Sequence, residues 1–298
     1  MLIVNPTAGK EKAPEFAKQL EKKLNSYFDE VLLKETQKPL DATRFARQAC
    51  DDHFDSVFVM GGDGTVSEAI SGLAEQNHRP KFGFIPMGTT NDMGHSLNLS
   101  MDPTTAIEAL DFERTTKLDV GKVNDEYFMN VIGIGDIPYA VNNTSIEKKA
   151  KLGHAAYIVD AFKEILDYKT HTFVTTVDQI SREIETSLII IALGPVVGGF
   201  ENVFKYARVN DGKLHFAYIK DKNFFDTVKA LPDVLKGIEK STKAIGYKAL
   251  EHISIESVDE DDKVGISADG DNLDQMPLDI RVLASHIDVY RGPYQDEV

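Results

Sequence analysis

Apolar residues along this chain fall into two textures. Up to about residue 118, short apolar runs (Leu2–Val4, Val31–Leu33, Val57–Met60 and Phe82–Ile85) alternate with longer stretches whose apolar positions recur every three or four residues. The runs have the length of buried strands. The spaced stretches, such as Phe16, Leu20 and Leu24 or Val66, Ala69, Ile70 and Leu73, suit helices with one apolar face. Separations of roughly 25 residues between strands match right-handed crossovers, so this part predicts an α/β domain with a parallel sheet. Beyond it the runs crowd together and several alternate: Tyr127–Ile134, Thr172–Val177, Leu188–Leu193, Leu214–Ile219, His252–Ile255 and Ile280–Leu283. Turn residues separate them. This predicts a mainly antiparallel β domain with helical insertions near Ile146–Tyr168 and Phe224–Ser241. The expected division is residues 1–122 and 123–298, with a C-terminal tail free to pack back on the first domain.

Three turns at strand ends carry the candidate chemistry. Val57–Met60 runs into Gly61-Gly62-Asp63-Gly64-Thr65 and then a helix-like stretch. Glycines there allow close backbone approach, and a helix start aims free N–H groups and a favourable dipole at an anion. Asp63 inside the turn is a poor neighbour for bare phosphate and a good one for phosphate carrying Mg²⁺. The loop is not a Walker A sequence, since no Gly-Lys-Ser/Thr follows. Nor is it Gly-x-Gly-x-x-Gly, since Ser67 stands at the sixth position from Gly62. Leu2–Val4 leads likewise into Asn5-Pro6-Thr7-Ala8-Gly9-Lys10, and Phe82–Ile85 into Pro86-Met87-Gly88-Thr89-Thr90-Asn91-Asp92. Each of these two loops alone reads as an ordinary turn. Together, at the carboxyl ends of parallel strands, the three predict one nucleotide cleft.

Composition narrows the class. At 298 residues and 42% hydrophobic, the chain is long enough for two ordinary domains with substantial cores. Its sole cysteine, Cys50, excludes an internal disulfide framework and points to a reducing compartment, with a cytoplasmic location expected. No apolar run nears the ~18 residues of a membrane span, and the first residues lack a signal peptide's basic flank. A formal net charge of −15 opposes non-specific binding to nucleic acid or to an anionic bilayer. The acidic run Asp259–Asp262 reads as a solvated loop, and no histidine pair has zinc spacing.

The motifs resemble those of the diacylglycerol kinase catalytic-domain family. The resemblance rests on Asn5–Gly9, on Gly61–Thr65 followed by Glu68, and on Pro86–Asp92. It continues through Gly198-Gly199-Phe200-Glu201-Asn202, Asn210-Asp211-Gly212-Lys213-Leu214 and Ser267-Ala268-Asp269-Gly270-Asp271. The wording of the Gly199–Leu214 stretch is most similar to that of the soluble enzymes of Gram-positive bacteria. The resemblance implies an ATP-dependent lipid kinase that phosphorylates the primary hydroxyl of diacylglycerol to phosphatidic acid, with ATP in a cleft between the domains. It assigns nucleotide contacts to Asn5, Pro6, Thr7, Ala8, Gly9, Thr36, Gly62, Asp63, Gly64, Thr65, Glu68 and Thr89. It places Mg²⁺ near Asp63 and Asp92 through water.

Asp269 takes the position of the family's catalytic base, though on its residues alone it reads as an Asx-turn cap. Asp271 stands where the family has glutamate, with one methylene less reach. Asn210–Leu214 reads on its own as a hairpin turn. By resemblance it is a structural Mg²⁺ site built from the Asp211 carboxylate and the backbone carbonyls of Arg208 and Lys213. A lipid substrate requires peripheral, reversible contact with the inner face of a membrane. The stretch Ile146–Tyr168 with Lys148, Lys149 and Lys151 is a candidate surface for it, though a helix packed on the β domain would show the same stripe. A homodimer is also compatible with the family. Alternatives remain: a kinase for another lipid, an NAD kinase, which shares Gly-Gly-Asp-Gly-Thr, or a silent nucleotide- or lipid-binding relative. Loss of Asp63 or Asp269 would mark the last, and both are present.

Overall fold

The computed structural model describes residues 1–135, 169–220, 236–259, 264–273 and 276–290. The stretch Ile146–Tyr168 with its three lysines, most of Phe224–Ser241 and most of the acidic run lie outside the described residues.

The first part runs β1 (Leu2–Val4), α1 (Ala8–Glu11), α2 (Ala13–Asn25), β2 (Leu33–Glu35), α3 (Asp41–Asp51), β3 (Ser56–Gly61), α4 (Asp63–Leu73), β4 (Lys81–Pro86), α5 (Asp92–Ser96) and α6 (Pro103–Ala109). Strands β2, β1, β3 and β4 lie side by side and parallel. Both faces of this sheet are covered, which is why its strands read as continuous apolar runs. Ile3, Val57 and Val59 pack with Phe45, Ala46, Ile70 and Leu73 of α3 and α4. Leu2, Val4, Phe58 and Met60 pack with Leu20, Leu24 and Ile107 of α2 and α6. Each of these side chains other than Ala46 contributes about 1.5–3 kcal/mol by burial. Strand β2 begins two residues later than its apolar run, because β1 offers only Leu2, Ile3 and Val4 to pair, and their partners are Leu33, Lys34 and Glu35.

The second part is β-rich: β5 (Thr115–Val123), β6 (Glu126–Phe128), β7 (Val131–Gly135), β8 (His171–Val177), β9 (Ile180–Thr186), β10 (Leu188–Ala192), β11 (Leu214–Ile219), β12 (Ile245–Leu250), β13 (His252–Ser257), β14 (Ile266–Ala268), β15 (Asp271–Asn272) and β16 (Leu278–Tyr290). One mixed sheet runs β2-β1-β3-β4-β16-β13-β8-β9, with β5 on β16 and β6 on β5. A second, antiparallel sheet runs β12-β11-β10-β7-β14-β15. The two face each other across Phe128, Ile132, Ile134, Phe173, Ile189, Ile191, Leu214, Ile253 and Ile280. The α/β sheet with an antiparallel β partner is thus the architecture the apolar pattern predicts.

Several elements depart from their sequence reading. Tyr127–Ile134 is two strands rather than one, broken at Met129 and Asn130, whose N–H groups turn to a side chain instead of a strand. The Ile280–Leu283 run is the middle of a longer strand: β16 pairs antiparallel with β5 and β13 and parallel with β4 through Val289 and Phe82, with a register shift between Leu283 and Ile287. Asn210–Gly212 does not close a tight hairpin, since it sits at the end of the 193–213 connection between β10 and β11. Residues 236–241, read as helix, are not helical, and Ile238 bridges Phe204.

Candidate active site

The strand-end loops of β1, β2, β3 and β4 enclose a cleft of ≈ 640 Å³. Asn5, Thr7, Ala8, Gly9, Thr36, Gly62, Gly64, Thr65, Glu68 and Thr89 line it, so most of the expected nucleotide contacts come together. Pro6 and Asp63 are not among its lining residues. Gln37, Lys38 and Pro39 line it without having been expected. The available signal was positional, since they follow β2 at the same sheet edge as the other loops.

Hydrogen bonds lock the loops to one another. Asn5 Nδ2 donates to Thr65 Oγ1 at 3.1 Å, and Asn5 Oδ1 accepts from the Thr7 N–H and hydroxyl at 3.1 and 2.9 Å. The Gly9 N–H reaches the Met87 carbonyl at 3.0 Å, and the Met87 N–H the Gly61 carbonyl at 2.8 Å. Gly62 and Gly88 touch backbone to backbone; a Cβ on Gly88 would stand 2.8 Å from the Gly62 Cα. Glu68 accepts the Ala42 N–H at 3.2 Å and so ties α4 to the start of α3. Helix α4 has Gly62 at its N-cap position and so no side-chain cap, and Lys10 and Lys38 add positive charge to the wall. An uncapped helix start, a glycine turn and two ammonium groups suit a polyphosphate.

Outside the cleft lining, aspartates hold backbone turns that are distant in sequence. Asp63 Oδ2 accepts the Asn91 N–H at 2.6 Å, and the N–H groups of Asp92 and Met93 also favour its charge. Asp63 therefore caps α5. Asp92, buried, accepts the Gly198 and Gly199 N–H groups at 2.7 Å each, where both glycines have positive φ (59° and 77°). Asp269 accepts the N–H groups of Met129 (2.6 Å), Asn130 (2.9 Å) and Val131 (2.9 Å) and the Ser67 hydroxyl (3.0 Å). This bond set is what breaks the strand at residues 129 and 130. Asp119, fully buried and not anticipated, accepts the Gly212 and Ser285 N–H groups at 2.6 Å each. Burial raises the carboxyl pKa of Asp63, Asp119 and Asp269 above the ordinary value, and the donated hydrogen bonds offset part of that rise. Asp271 is exposed on β15, one residue past the turn that carries Asp269.

The Asp211 carboxylate has three protein partners. It accepts the Arg208 N–H (3.1 Å) and the Lys213 N–H (2.9 Å), and His215 Nε2 lies 3.0 Å from Oδ2. The Arg208 carbonyl accepts the Asp211 N–H at 3.3 Å. His215 is buried, its Nδ1 2.9 Å from the Tyr247 hydroxyl and its ring stacked on Tyr247. Among the described residues no three His, Cys, Asp or Glu side chains converge as a cation cage. In this arrangement the His215 imidazole lies against one oxygen of the carboxylate, and the other accepts the Lys213 N–H.

Both halves of the chain match known families. Residues 1–123 match the diacylglycerol kinase catalytic domain, and residues 135–291 match the YegS C-terminal NAD kinase beta sandwich-like domain. A Streptococcus pneumoniae serotype 4 protein named "Putative lipid kinase" is 36% identical over 99% of each chain. A Staphylococcus haemolyticus diacylglycerol kinase is 30% identical, covering 97% of this chain and 86% of the relative. A crystal structure of a diacylglycerol kinase from Bacillus anthracis str. Sterne superposes with a TM-score of 0.78 at 25% identity, over 98% of this chain and 96% of that one. Fold and loops together define the two-domain lipid kinases. The chain belongs to the diacylglycerol kinase catalytic-domain family.

Proposed function

We propose that this protein transfers the γ-phosphoryl group of ATP to the primary hydroxyl of diacylglycerol, giving phosphatidic acid. The observation that carries this reading is the Ser67–Asp269 hydrogen bond. It sets a carboxylate of the second sheet beside the helix whose first turn opens on the nucleotide cleft. Asn5–Gly9 and the first turn of α4 hold the phosphates, with Lys10 and Lys38 offsetting their charge. Mg²⁺ arriving with ATP would offset negative charge on the phosphates. Asp63 and Asp92 already accept backbone N–H groups, which suits contact with such a cation through water rather than directly. During transfer the acceptor oxygen bonds to phosphorus, the bond to the β-phosphate oxygen breaks, and the acceptor proton passes to Asp269. In a loose transition state a carboxylate need only orient the hydroxyl and take the proton late. Asp271 lies close enough in sequence to support it, with less reach than glutamate.

The acceptor's acyl chains keep it in a bilayer, since each methylene moved into water costs about 0.8 kcal/mol. Among the described residues no helix is long and apolar enough to cross a membrane. Docking at the inner membrane surface is then peripheral and reversible, through a local patch that offsets the net charge of −15. The test is transfer of labelled γ-phosphate from ATP to a panel of diacylglycerol vesicles, other lipids and NAD. Label on diacylglycerol is expected. Label on NAD and on no lipid would overturn the assignment, and label confined to another lipid would replace diacylglycerol by that lipid.

A further inference from the structure

A carboxylate offers about four lone-pair positions on its two oxygens, and all those of Asp269 are occupied. Oδ1 accepts from the Asn130 and Val131 N–H groups, and Oδ2 from the Met129 N–H and the Ser67 hydroxyl. Three of these donors are main chain, two in the turn between β6 and β7 and the third at the first residue of β7. Only Ser67 can reorient, by rotation about χ1. Ser67 is half-buried. It also lies four residues after Asp63, on the same face of α4 one turn further along. Ser67 is thus the one donor to Asp269 that stands on the helix whose first turn opens on the cleft.

We propose that Ser67 is a catalytic residue that relays the acceptor's proton to Asp269. The acceptor hydroxyl donates to Ser67 Oγ while the Ser67 O–H donates to Asp269 Oδ2. As the new oxygen–phosphorus bond forms and the bond to ADP breaks, the acceptor proton moves to Ser67 Oγ and the Ser67 proton moves to Asp269 Oδ2. Ser67 ends as it began, a neutral hydroxyl, and Asp269 ends protonated. The inference rests on the phosphoryl-transfer reading above and deepens it. It explains how a carboxylate saturated by backbone donors still serves as a base.

The test compares Ser67→Ala and Ser67→Thr with the unaltered chain, all verified as folded by melting temperature. Each is assayed with diacylglycerol vesicles and separately for ATP hydrolysis, where water is the acceptor. The expected result is a fall in kcat of about 100-fold for Ser67→Ala. KM for ATP should be unchanged, and Ser67→Thr, which keeps the hydroxyl, should stay within about tenfold of the unaltered chain. A kcat for Ser67→Ala equal to or above that of the unaltered chain would show that the acceptor reaches Asp269 directly and would overturn the relay. Equal losses in both variants would also overturn it, since the hydroxyl would then be irrelevant. If the vesicles take no phosphate from the unaltered chain, diacylglycerol is the wrong acceptor, and the hydrolysis comparison still decides the relay.

Discussion

Asp63 serves two neighbours, and its substitution separates them. Its carboxylate caps α5 through the Asn91 N–H while lying next to the glycine turn that opens the cleft. Asp63→Asn keeps one carbonyl oxygen for the cap, so folding should survive with a loss of about 1 kcal/mol. Turnover should fall roughly 10²–10³-fold if the charge organises the reacting phosphates. Steady-state kinetics beside a thermal melt read both numbers, and near-normal turnover in a folded variant would remove Asp63 from the mechanism. Asp211 poses a different question. Its backbone and His215 partners should make Asp211→Ala less stable by about 1–3 kcal/mol. Because His215 holds the carboxylate edge, the drop in melting temperature should be the same in Mg²⁺ and in chelator. A loss confined to Mg²⁺-containing buffer would restore a bound cation there, since a ligand specific to the folded state stabilises by mass action.

At the scale of elements, legibility followed the range of the cause. Val57–Met60 and Phe82–Ile85 were readable as strands because helices cover both faces, and that leaves an unbroken apolar run. The three glycine-bearing loops were readable because strand, turn and helix follow one another locally. The break at Met129 and Asn130 was not, because the carboxylate that causes it lies at residue 269. The far half of β16 was hidden by Ala284, Ser285 and His286, which interrupt the apolar pattern where the register shifts. Gln37–Pro39 carry no motif at all, and only the topology puts them in the cleft. Gly72 shows a constraint of the same kind on helix packing. A Cβ there would stand 2.4 Å from the Thr43 carbonyl oxygen of α3, a backbone atom that cannot swing aside. Gly72→Ala should therefore push α3 from α4 at a cost of about 1–3 kcal/mol. Calorimetry should show a melting temperature lower by about 2–4 °C for each kcal/mol, and an unchanged value would mean that the two helices separate freely.

For the molecule as a whole, Cys50 is a built-in reporter. It is the only cysteine, it is 3% exposed, and burial pushes its thiol up to about 11. A thiol-specific reagent should scarcely label the native protein and should label one site per chain once denaturant opens the core around α3. Fast labelling without denaturant would mean that α3 opens locally. The same core depends on β16, whose Ile287 and Val289 belong to it and which lies beside β4 in the sheet. Phe82 of β4 waits for Val289, 207 positions later (289 − 82). At about 5–20 residues per second on the ribosome, that interval is roughly 10–40 s. Throughout it the nascent chain presents a bare strand edge with apolar neighbours, an invitation to pair with another copy.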